Sequence, residues 1–150
     1  MNYLSMMQPL DKNTLFSIFE AGDEQVYKEN GVQDMLKNPF VLMGMVLQGI
    51  QSYHLMDIMY KRNFPEEYKK VAQGIQYKYY TNLYGYLTRI ECDRFETIYA
   101  IGEAFEIEEV FVGLEELREY FQHIEEYEKC AVIKKYTTFL IDNTPVKVDI

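Results

Sequence analysis

The sequence predicts a mainly α fold: a single-domain helical bundle with two long central helices. Three observations carry this expectation. Two helix-start signals, Asn38-Pro39 and Phe64-Pro65-Glu66-Glu67, each open a long stretch without a later proline. From Tyr68 to Ile90, large side chains recur at three- and four-residue steps, the period that places them on one helical face. Between the two signals, PFVLMGMVLQGI (Pro39 to Ile50) is apolar on nearly every face, as a helix surrounded by other helices must be.

In chain order, Asp11 is placed to cap a short helix to about Ala21, where Gly22 and Asp23 break it, and a second short segment runs to Gly31. Asn38 then supplies a capping side chain and Pro39 fits the first helical turn, so a long helix is expected to about Arg62. Gly44 and Gly49 lower its intrinsic propensity but permit close backbone approach. In the next helix Pro65 occupies the first turn, and Glu66 and Glu67 sit at the positive end of the dipole. Tyr68, Val71, Ala72, Ile75, Tyr79, Leu83, Tyr86 and Ile90 form its core stripe.

Asp93-Arg94-Phe95-Glu96 matches a capping box and opens a helix through Phe105. The stretch EIEEVFVG is ambiguous. Leu114, Leu117, Phe121, Ile124 and Tyr127 define one amphipathic helix with acids on its outer face. The helical core is thus expected over about 11–129. The segment 130–150, rich in β-branched and aromatic residues, reads as a C-terminal extended tail or short β-hairpin turning at Asp142-Asn143-Thr144-Pro145. Val132, Ile133, Tyr136, Phe139 and Leu140 also fit helical spacing, so its first half alternatively extends the preceding helix.

Composition bounds the role. A chain of 150 residues, 48% hydrophobic and 26% charged, can bury a core without staples. The apolar run ending at Ile50 falls short of the roughly 18–20 residues that span a membrane. The N-terminus lacks the basic start and long apolar run of a signal or transit peptide. A cytoplasmic protein is expected, or a virion component if the source is viral. Cys92 and Cys130 have neither CxxC spacing nor a neighbouring histidine and read as reduced thiols.

The net charge is -9, unevenly spread. From Lys61 to Arg94, seven basic residues face Glu66, Glu67, Glu91 and Asp93, a balance of +3; from Glu96 to Glu128, eleven acids face Arg118 alone, a balance of -10. That excess disfavours nucleic-acid binding, which needs a cationic surface.

No phosphate-binding glycine loop and no nucleophile elbow occurs, and Ser5, Ser17 and Ser52 have no histidine placed by local sequence to activate them. His54 with Asp57, and His123 with Glu119 and Glu126, share helical faces, but Gln51 and Tyr120 stand where a di-iron bundle needs glutamate. No metal or other cofactor is therefore expected. The spacing Arg118-x4-His123 resembles that of HEPN ribonucleases, all-helical domains of about this length. The resemblance implies RNA cleavage with Arg118 and His123 at the scissile phosphate. Glu115, Glu116, Glu119, Glu125 and Glu126 surround the pair with charge that repels RNA.

The stretch YKYYTNLYGY, Tyr77 to Tyr86, is the remaining candidate site. Helical projection puts Tyr79 and Tyr86 in the core and Tyr77, Tyr80 and Tyr84 on a second stripe. Another helix of the chain or another molecule must cover that stripe. The expected function is non-catalytic protein–protein contact, as a structural subunit of an oligomeric assembly such as a viral connector, with a protein partner or further copies of the chain. The alternative is a small acidic inhibitor, immunity or anti-defence protein occupying a basic site on its partner. Partner contacts are assigned to Tyr77, Tyr80, Tyr84, Glu115, Glu116 and Glu119.

Overall fold

The computed structural model describes residues 36–92 and 94–143. The helices expected before Gly31, the Asp93 cap and the residues after Asn143 lie outside the described residues. Within them the chain is a helical bundle in the order α1 (Pro39–Asn63), α2 (Pro65–Thr88), α3 (Phe95–Ala104), α4 (Ile107–His123) and α5 (Tyr127–Asn143).

The start signals operate as local physics requires. Asn38 Oδ1 accepts the Phe40 N–H at 3.0 Å, satisfying one orphan donor of α1. A single joint residue, Phe64, separates α1 from α2, and its N–H donates to the Tyr60 carbonyl at 2.8 Å. So short a connection forces the two long helices to run antiparallel. Their pairing runs from the joint to the middle of both helices: Tyr60 stacks on Tyr68, and Tyr53 lies against Tyr79. A Cβ on Gly49 would collide with Leu83.

α1 is the central helix, packing against α2, α3 and α4. It buries Leu42, Met43, Val46, Leu47, Ile50 and Tyr53. At Gly113 of α4 an added Cβ would strike Leu47, so this glycine lets α4 settle directly onto α1. α4 and α5 form a second antiparallel pair, in which the Cys130 thiol donates to the Arg118 carbonyl at 3.4 Å. Tyr136 Oη donates to the Ile90 carbonyl at 2.7 Å, tying α5 to the end of α2. Cys92 and Cys130 form no disulfide.

One expectation requires revision, and one open alternative is decided. The stripe from Leu114 to Tyr127 is not one helix. α4 ends at His123, with Glu125 at φ 64°, its N–H bonded to the Gln122 carbonyl and the Glu126 N–H to the Phe121 carbonyl. This is the Schellman arrangement, and it sends Tyr127 outward at the start of α5. Of the two alternatives for the segment after Lys129, the helical one holds through Asn143, as part of a new helix that starts at Tyr127. Ile133, Thr137 and Leu140, at i, i+4 and i+7, point into the core, and burying that face outweighs the β preference of the individual residues.

An acidic cleft between α1, α2 and α4

α4 and the first turn of α5 cover the second tyrosine stripe within the chain. Tyr80 is 2% exposed; its ring meets Tyr120 edge-on at 4.6 Å and Tyr53 at 5.1 Å. Tyr84 packs against Phe121 at 5.7 Å, with the Lys129 ammonium 5.6 Å above its ring. Tyr77 alone of the three stays largely at the surface, 41% exposed.

Above Tyr80 the helices diverge into an open cleft of about 920 Å³. α2 contributes Gln73, Gln76, Tyr77 and Tyr80, and α4 contributes Glu116, Glu119, Tyr120 and His123. Each set has the i, i+3, i+4, i+7 spacing of a single helical stripe. His54 of α1 closes one side and the Ile124–Glu126 turn the other. Four of the predicted contact residues, Tyr77, Tyr80, Glu116 and Glu119, therefore meet in one place. Tyr84 and Glu115 do not. Glu115 takes the Arg118 guanidinium at 2.8 and 3.1 Å, and that hydrogen bond holds its carboxyl below the usual carboxylate range.

The polar groups of the cleft are unevenly satisfied. His54 Nε2 pairs with Glu116 Oε1, joining α1 to α4. Glu126 Oε1 accepts from Tyr77 Oη and Lys129 Nζ, each at 3.1 Å, while its Oε2 is buried without a hydrogen-bond partner. Glu119 is exposed and accepts no hydrogen bond from the described residues. Burial pushes the Tyr120 phenol up to about 12. It also raises Tyr80, with the Glu116 charge adding to the effect. Both phenols consequently stay neutral near pH 7. Three carboxylates and no lysine or arginine line the cleft.

Such an arrangement suits a cation. An ammonium or guanidinium entering it gains charge-assisted hydrogen bonds, worth about 1.5–3 kcal/mol each, and the faces of tyrosine rings. It is poorly suited to phosphate. Arg118 and His123, five residues apart, lie about 140° apart around α4. His123 lines the cleft; Arg118 is engaged by Glu115 and by Gln122, the latter at 2.6 Å. Among the described residues no group of three or more His, Cys, Asp or Glu is placed to hold a metal ion. Among them, too, no helix is long and apolar enough to cross a membrane.

Sequence reasoning overlooked His54, Gln73, Gln76 and Tyr120 as walls of the cleft. The period was readable for Gln73 and Gln76, which share the stripe of Tyr77 and Tyr80. The pairing of α4 with that stripe was not. No protein family, curated protein or solved structure matches this chain.

Proposed function

We propose that the chain is a non-catalytic protein-interaction module whose cleft receives a positively charged segment of a protein partner. The observation that carries this reading is the convergence of Glu116, Glu119 and Glu126 with tyrosine rings in a cleft that has no lysine or arginine in its lining. Burial of Tyr80 and Tyr84 under α4 favours this docking role over an assembly built on the tyrosine stripe. The module acts by occupying a basic site on its partner, as an inhibitor, immunity or anti-defence protein does.

The test is recovery of the chain from its source with the protein bound to it, in wild type and in Glu116→Lys/Glu119→Lys. The complex is expected to weaken as salt rises from 0.1 to 1 M, where the screening length falls from about 10 to about 3 Å. The double reversal is expected to abolish it. A complex indifferent to both would remove the proposal.

A second reading, a subunit of an oligomeric assembly, is favoured by the Phe95–Tyr99 pair on α3. These rings stack at 6.4 Å while 76% and 61% exposed. Sedimentation of the purified chain is expected to show an oligomer that Phe95→Ser/Tyr99→Ser reduces to monomer. A wild type that sediments only as monomer excludes a homo-oligomer.

A further inference from the structure

The opposite end of α4 carries a second recess, built from different chemistry. It lies where the end of α3, the start of α4 and the end of α5 meet, and encloses about 660 Å³. Its floor is apolar: Ile101, Val110 and Leu140 are buried beneath it, and Ile141 is 42% exposed. Its rim is anionic. Glu103, Glu106, Glu108 and Glu109 are all exposed, and no lysine or arginine lines the recess. At about 1.5 Å per residue, Glu108 and Glu119 are roughly 16 Å apart along α4, so the recess and the acidic cleft are separate sites.

An apolar floor inside a one-signed rim is complementary to a particular kind of surface. A lone cation would leave the floor unused, and a neutral apolar ligand would leave four carboxylates facing nothing. A helix with one apolar stripe flanked by lysine or arginine satisfies both, laying leucine-like side chains on the floor and its charges over the glutamates. We infer that this recess docks a basic amphipathic helix of a partner protein.

The probe is a fluorescently labelled synthetic peptide of about 18 residues, five helical turns, made of leucine and lysine in amphipathic order. A second peptide has the same composition in shuffled, non-amphipathic order. Wild type is expected to bind the amphipathic peptide at least about tenfold more tightly than the shuffled one, a difference of about 1.4 kcal/mol. Glu103→Lys/Glu106→Lys and, separately, Ile141→Asp are each expected to weaken it by about tenfold or more. All three positions are exposed, and a retained helical circular dichroism spectrum verifies that the variants fold. Glu116→Lys/Glu119→Lys, at the cleft, is expected to keep the preference for the amphipathic over the shuffled peptide, because the cleft adds only a charge attraction common to both, which separates this site from the function proposed above. Equal affinity for the two peptides, affinity unchanged in both recess variants, or loss of binding in the cleft variant while the recess variants bind normally would overturn the inference.

Discussion

Glu125 occupies the left-handed region at φ 64°, which costs a residue with a Cβ roughly 1–2 kcal/mol and costs glycine almost nothing. Glu125→Gly is therefore expected to raise unfolding free energy by about 1 kcal/mol. Denaturant melts compared with Glu125→Ala check it, since alanine removes the same carboxylate without relieving the strain; equal stability of the two variants would contradict it. The buried phenols make a second prediction. Burial holds Tyr53, Tyr120 and Tyr136 up to about 12, above their ordinary value of 10.0. The unfolded chain thus releases these protons first, so the contribution to stability is intact below pH 10 and is lost as pH rises through 12. The chain has no tryptophan, which leaves tyrosinate absorbance unobscured. The part of that absorbance contributed by the buried rings and the loss of helical circular dichroism are expected to share their alkaline transition; full ionisation of all the rings before any loss of helix would contradict it. At this scale Asn38 and Pro65 were legible because capping and first-turn proline are local. Glu125 was not, since a glutamate gives no local sign of the left-handed conformation that the meeting of α4 and α5 imposes.

Helix approach depends on two glycines that are not interchangeable with the others. An added Cβ at Gly113 meets Leu47, buried at the centre of α1, whereas at Gly85 it meets nothing within 4 Å. Gly113→Ala is expected to destabilise by about 1–3 kcal/mol through overpacking. Gly85→Ala is expected to stabilise by about 0.5–1 kcal/mol through reduced chain entropy. Thermal melts of the two variants should move in opposite directions; a gain for Gly113→Ala would mean that Leu47 has room to yield. The α1–α2 hairpin was readable in full because Pro65 and the Tyr68-to-Ile90 period agree. α5 was only half readable. Its β-branched residues argue for a strand locally, and the burial of Ile133, Thr137 and Leu140 that decides for helix is a tertiary fact. The role of Gly49 in close approach was anticipated; that of Gly113 was hidden, because nothing local says that α4 will rest on α1.

At the scale of the whole molecule, seven of the eleven acids between Glu96 and Glu128 are divided by the fold between two faces of different chemistry. One is the tyrosine-lined cleft at the end of α4. The other is the apolar-floored recess at its start. The composition foretold the charge but not this division, which arises because α4 lies across α1 with Glu116 against His54 and Tyr120 over Tyr80. The proposed function requires the cleft to be a contact for a basic protein segment. Its most direct measurement replaces Gln76, which lines the cleft, with a photo-crosslinking amino acid and maps the attached peptide by mass spectrometry after irradiation in the source cells. Attachment to a lysine- or arginine-bearing segment of one protein is expected, and its loss when Glu116→Lys/Glu119→Lys is added. Attachment to nucleic acid, or to a protein segment without basic residues and insensitive to the charge reversal, would contradict it.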